Sequence, residues 1–401
     1  MKKHLLTLAL AASVMGGCQH KEAPPATSGQ IETLPAQSFK RDWKADLELK
    51  DDSVSRVFVR EDVVIAYTKK NMAYVLNKGS GVVRFTAQVS RSTVPPMEPV
   101  LLKDRIVFPT GSTLELYTRD ARFERSYPTN SSLRTNAVGV TNGTRIFFGV
   151  DSRSTGRLVA VETQPGDYKA VNQKWELMDD HGASISSAPA INSGIVYVAF
   201  DDGEVYAVNQ DNRQAIWATS TGQTFKTYGA IKGDLRADDF GVYVPSTDFK
   251  LYCLDKTQGR EKWSYYAGAA LRQSPEVTAT MVYLPVPDRG IVAIDKVNGP
   301  VVRQAKWAVK DAVKLVAEDE KYAYFSRADH VIIAVEKATG EQKFTSKRTD
   351  FVAFATNTKD STIYAATKDG QVFAVVPVLK SGNAGELVLD NARAVEALAL
   401  R

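Results

Sequence analysis

Two cysteines in 401 residues, Cys18 and Cys253, are too few for a disulfide-built scaffold. Histidine is almost as scarce: beyond the first seventeen residues only His20, His181 and His330 occur. His20 stands in a polar leader, His181 in the turn-like run Asp179-Asp-His181-Gly182, and His330 in the hairpin-like run Arg327-Ala-Asp-His330-Val. None has the setting that a nucleophilic triad or a zinc site requires. The patterns G-x-x-x-x-G-K-S/T, H-E-x-x-H and G-x-S-x-G are all missing, and the aspartate pairs 201–202 and 238–239 lack the spacing of a calcium loop. The expectation is therefore no catalytic residue, no metal site and no enzyme. Charge of one sign is lacking too, with 51 Lys and Arg against 46 Asp and Glu and no dense basic run. That excludes a nucleic-acid partner. Long apolar runs are limited to Leu5–Met15 near the start.

That run belongs to the opening Met1-Lys-Lys-His-Leu-Leu-Thr-Leu-Ala-Leu-Ala-Ala-Ser-Val-Met-Gly-Gly-Cys18, with a positive start and small residues before the cysteine. It is too short for a spanning helix and reads as an export signal over residues 1–17. Its end resembles the bacterial lipoprotein box, which implies a lipidated Cys18 as the new N-terminus; the other reading is an ordinary secretory signal. The resemblance, with Gln19 rather than an aspartate next, implies an outer-membrane anchor, and the expected location is the cell envelope facing the periplasm. Residues 18–37 are rich in Pro, Ala, Ser and Thr and read as the lipidated cysteine plus a flexible tether. Cys253, inside an apolar strand, reads as a small buried residue.

What is abundant is repetition. A short apolar strand closes on Asn77, Arg119, Glu162, Asn209, Asp255, Asp295, Glu336 and Val376, positions 40 to 47 residues apart. In the best copies an aromatic follows eight positions on, as in Tyr206-Ala-Val-Asn209 to Trp217, Tyr252-Cys-Leu-Asp255 to Trp263 and Ile333-Ala-Val-Glu336 to Phe344. Phe85, Tyr127, Trp175 and Trp307 fill the place in weaker or longer copies, and the last copy has none. Such a period, with several short strands per unit, is that of a propeller blade, whose small sheet buries both faces only between neighbours. Trp43, in a strand-like stretch without a blade of its own, supplies the missing aromatic if the N-terminal strand closes the ring beside residues 372–375. The expected fold is all-β: an eight-bladed β-propeller over residues 38–377 closed by an N-terminal strand, with a tail over 378–401; seven blades is the alternative. Full closure removes exposed sheet edges. The clearest copy predicts four strands over 187–191, 195–200, 204–209 and 215–219, with Asp201-Asp-Gly203 as a tight hairpin.

The unit Tyr-Ala-Val-Asn-x₆-Ile-Trp217, with Leu254-Asp-x₃-Gly259-x₃-Trp263, resembles the pyrroloquinoline-quinone-like propeller repeat over about residues 40–376. That repeat builds dehydrogenases, sensors and scaffolds alike. A quinone enzyme of the group needs a roofed cofactor, a calcium-like ion, a base and often adjacent cysteines; this chain has no adjacent cysteines, is shorter than such enzymes and has short interblade loops, so the repeat does not imply a bound quinone and the expectation is no cofactor. Signal, tether, blade count and closure together resemble the family of accessory lipoproteins of the outer-membrane β-barrel assembly machine. The resemblance implies a non-enzymatic scaffold, a monomer outside its complex, that docks by propeller loops on a protein partner, the barrel insertase. Ala270-Leu271-Arg272-Gln-Ser-Pro275 is similar to the family's docking loop, which points to Leu271 and Arg272. Leu235 and Arg236, in Gly233-Asp-Leu-Arg-Ala-Asp-Asp239, form a second candidate loop. A quinoprotein-like binder or dehydrogenase, and a propeller lipoprotein of another envelope complex, remain as alternatives.

Overall fold

The second and third strands of each repeat carry apolar side chains on both faces, which is stable only for a sheet covered on both sides. In the first repeat, Val63–Thr68 is buried at every position, whereas the outer strand Val83–Gln88 alternates between exposed and covered. A computed structural model of the chain describes residues 32–34, 39–91, 93–128, 132–133, 139–152, 155–164, 167–178, 181–217, 225–300, 304–346 and 350–378. The signal segment, Cys18 and nearly all of the C-terminal tail lie outside them. No helix of the described residues is long and apolar enough to cross a membrane.

The strands form eight antiparallel blades around an axis. Blade one is Val54–Arg60, Val63–Thr68, Met72–Asn77 and Val83–Gln88. Blade two runs from Val100–Leu101 to Phe123–Pro128, and blade three from Val140–Thr141 to Asp167–Met178. Blade five is Arg236–Ala237, Val242–Pro245, Lys250–Leu254 and Glu261–Tyr266. Blade six is Glu276–Val277, Met281–Val286, Gly290–Asp295 and Trp307–Val309, and blade seven begins at Ala312–Glu318 and ends at Gln342–Ser346. Blade eight has Phe351–Phe354, Ile363–Thr367 and Gln371–Pro377 from the C-terminal end and Phe39–Asp46 from the N-terminal end. The closing strand pairs antiparallel, with Trp43 opposite Ala374 and Ala45 opposite Val372. The ring thus has eight blades, not seven.

Blade four differs from expectation at its rim. Ala190–Asn192, Ile195–Ala199 and Glu204–Asn209 are in place, but Ala215 makes only an isolated bridge to Val208, and the outer strand is Phe225–Lys226. Ile216 N–H also donates to Ala207 O (2.8 Å), and residues 218–224 lie outside the described set. Within the segment read as a tether, Glu32–Leu34 pair in parallel with Phe344–Ser346 on the rim of blade seven.

Eight apolar clusters fill the eight seams, and each contains one of the eight sequence-picked aromatics: Trp43, Phe85, Tyr127, Trp175, Trp217, Trp263, Trp307 and Phe344. All five tryptophans donate their indole N–H across a seam to a main-chain carbonyl: Trp43 to Lys78 (2.8 Å), Trp175 to Gln210 (3.1 Å), Trp217 to Lys256 (3.0 Å), Trp263 to Lys296 (3.1 Å) and Trp307 to Lys337 (3.0 Å). Each acceptor directly follows the residue that closes the third strand. That closing side chain organises the turn: Asn77 Oδ1 accepts from Gly79 and Ser80 N–H, and Asp255 Oδ1 from Thr257 and Gln258 N–H. The turn ends in a left-handed residue, Gly81 at φ 72° or Gly259 at φ 68°, where a Cβ would strike the neighbouring indole.

Candidate interaction face

The docking residues picked from the sequence separate into two kinds. Leu271 is fully buried in the seam between blades five and six, and Leu235 is 1% exposed between blades four and five. As partner-contacting side chains both are therefore corrected to core residues. Leu271 stands five residues before the first strand of its blade, where blade four has Ile185 and blade five Ile231, all at zero exposure. It is a packing position of the repeat. Arg272 beside it is exposed. Arg236 points toward the axis, with Asp234 at 3.8 Å and Glu276 at 3.7 Å, rather than standing on a free loop tip.

Arg272 lies next to a feature that the sequence reading missed. The hairpin Ser246–Phe249 of blade five joins three neighbouring segments: Ser246 O accepts from Leu271 N–H (3.2 Å), Phe249 O from Ala267 N–H (2.7 Å) and Asp248 Oδ2 from Tyr228 N–H (3.1 Å). Around it Tyr228 is 97% exposed, Phe249 43% and Tyr266 38%, and the Phe249 and Tyr266 rings meet edge to face at 6.2 Å. Phe249 has φ 72°, in the turn slot where blades four and eight place Gly203 and Gly370. A bulky side chain there is a conformational outlier, and an exposed one gains no core packing in return. The signal lay in the repeat itself: Thr-Asp-Phe249-Lys replaces the Asp-Asp-Gly203-Glu of the preceding copy.

Little else gathers chemistry. Among the described residues no group of three or more His, Cys, Asp or Glu is placed to hold a metal ion. His181 is exposed, 3.8 Å from Glu204, and His330 occupies a hairpin at φ 64°. Cys253 is fully buried, and burial pushes its thiol up to about 12, so it is a packing residue. The axial channel is a cavity of about 530 Å³ touched by all eight blades. Its carboxylates have basic neighbours: Glu98 pairs with Arg60, and Asp234 and Glu276 flank Arg236.

Ring, repeat turn and seam aromatics define the class: an eight-bladed β-propeller of the pyrroloquinoline-quinone-like repeat type. Three solved structures are similar to this chain in fold. They are BamB from Moraxella catarrhalis (15% identity, 86% of this chain and 99% of that one, TM-score 0.62), the computationally designed Ika8 protein (13%, 83% and 98%, 0.61) and the Neurospora crassa Pan2 WD40 domain (9%, 87% and 98%, 0.51). At these identities the likeness is one of fold. None of the curated proteins compared with the chain matches it. The family described as outer membrane protein assembly factor BamB matches residues 26–237 and 201–318, and the chain belongs to that family.

Proposed function

We propose that this protein is a non-enzymatic, lipid-anchored scaffold of the bacterial outer membrane, facing the periplasm, that binds a protein partner in outer-membrane β-barrel assembly. The anchor is the acylated Cys18 and the partner is the barrel insertase. Family membership supports the assembly role. The observation that carries the docking surface is Phe249, an exposed aromatic held at positive φ between Tyr228 and Tyr266 with Arg272 alongside. Exposed aromatic and arginine side chains on a rigid hairpin are the groups that concentrate binding energy in protein interfaces. Channel carboxylates flanked by arginines do not favour a quinone enzyme, whose ion needs carboxylates for itself.

The test is affinity capture of the detergent-solubilised lipoprotein from its own envelope, with mass spectrometry of what is retained. Phe249→Gly combined with Arg272→Ala should lose the insertase while melting no lower than the parent, since glycine suits the turn. Leu271→Asp should lose it too, but through misfolding. Retention of the insertase by the double variant would refute this docking face, and capture of a different complex by the parent would refute the assembly role.

A further inference from the structure

A second cavity, of about 330 Å³, opens beside the axial channel between the inner ends of blades six and seven. Blade six begins with a two-residue strand, Glu276–Val277, where blade seven has the seven residues Ala312–Glu318, and the space lies alongside that mismatch. Its deep walls are apolar, formed by Pro285, Ile291 and Leu315, with the 53%-exposed Val313 at the mouth. Where it joins the channel, both cavities are lined by the same three charged residues, Arg236, Glu276 and Lys314.

The two cations there are lightly used among the described residues. Arg236 donates one hydrogen bond, Nη1 to Leu235 O at 3.2 Å, and its carboxylate neighbours stand at 3.7 and 3.8 Å, beyond direct hydrogen bonding. A guanidinium has five N–H donors. Lys314 Nζ donates to Phe354 O at 2.7 Å. Burial lowers its pKa, Glu276 opposes that shift and Arg60 adds to it, as for an amine placed in a confined site beside other cations. An oxyanion here would find open donors and relieve the crowding.

We propose that this side pocket binds a small carboxylic acid with an apolar tail, its carboxylate between Arg236 and Lys314 and its tail against Pro285, Ile291 and Val313. The volume suits a ligand of that size. Glu276 competes for the same cations, which gives the site a signed test. The inference goes beyond the scaffold reading and stands or falls apart from it, since Tyr228, Phe249, Tyr266 and Arg272 are not among the residues that line the pocket.

Isothermal titration of the full-length lipoprotein in detergent with hexanoate, hexanamide and acetate tests it. Hexanoate should bind saturably, while hexanamide and acetate bind roughly tenfold more weakly, lacking the charge or the tail. Arg236→Gln should weaken hexanoate roughly tenfold or more, and Glu276→Gln should tighten it several-fold, an outcome that misfolding does not produce. Equal heats from hexanoate and hexanamide, or heats unchanged by both substitutions as for partition into detergent, would overturn the proposal. No saturable heat from hexanoate would do the same.

Discussion

The closing seam can be tested through one glycine. Gly81 sits at φ 72° in the first blade, and a Cβ there would lie 2.4 Å from Cε3 and 2.7 Å from Cδ2 of Trp43 on the closing strand. Gly81→Ala therefore combines two costs: about 1–2 kcal/mol for an L-residue in left-handed backbone and about 1–3 kcal/mol for overpacking against the indole. Trp43→Ala removes a 7%-exposed ring and its bond to Lys78 O, for about 3–5 kcal/mol. With the indole gone, only the backbone cost of Gly81→Ala remains. The double variant should thus be about 1–3 kcal/mol more stable than the sum of the single changes predicts. Unfolding entropy for a body of this size is roughly 0.7 kcal/mol/K, so Trp43→Ala alone should lower Tm by about 4–7 °C. Urea melts followed by circular dichroism give the four corners of the cycle. Gly259→Ala, which meets Trp217 in another seam, serves as control and should cost the same with or without Trp43. If Gly81→Ala costs the same in both backgrounds, Trp43 does not close the ring on blade one.

Two further outcomes are expected. Arg105 and Glu124 form an ion pair at 2.5 Å with side chains only 2% and 4% exposed, so Glu124→Gln should cost about 3–5 kcal/mol in urea melts, whereas replacing both by Met and Leu should cost far less. The Glu162 carboxyl is held below the usual glutamate range by its hydrogen bond from Lys174, against a partial opposing effect of burial and with further help from Arg145. Its contribution is present above the unfolded-state pKa of about 4.3 and is lost as pH falls through the lower folded value; the drop in Tm on acidification below about pH 4.5 should be smaller in Glu162→Gln, and an identical drop would count against this pairing.

The ring was legible because one packing problem is solved eight times. A strand-closing Asn, Asp or Glu, a left-handed turn residue and an aromatic recur, and the eighth aromatic had to come from the other end of the chain. Loop side chains have no such redundancy. Leu271 and Arg272 look alike as a pair in sequence, yet the leucine fills a seam slot shared with Ile185 and Ile231 while the arginine faces solvent. Aligning the blades, rather than matching a short loop pattern, distinguishes them. The same alignment exposes Phe249 in a glycine slot. At the rim of blade four the expected strand keeps the Val208–Ala215 bridge and the Ile216 N–H bond to Ala207 O, while the pairing of Phe225–Lys226 with Glu204 and Val205 is one that strand periodicity does not encode.

The indole bonds are not spread evenly around the ring. They lock the closing seam and the four consecutive seams from blade three to blade seven, whereas Phe85, Tyr127 and Phe344 leave the other three without such a bond. The circle is therefore a stiff arc of five blades joined to a more compliant remainder, and blade five, with its Phe249 hairpin, sits at the arc's centre. A load applied at that hairpin is shared along the braced half, and the ring yields first at the two joints of blade two and at the joint between blades seven and eight.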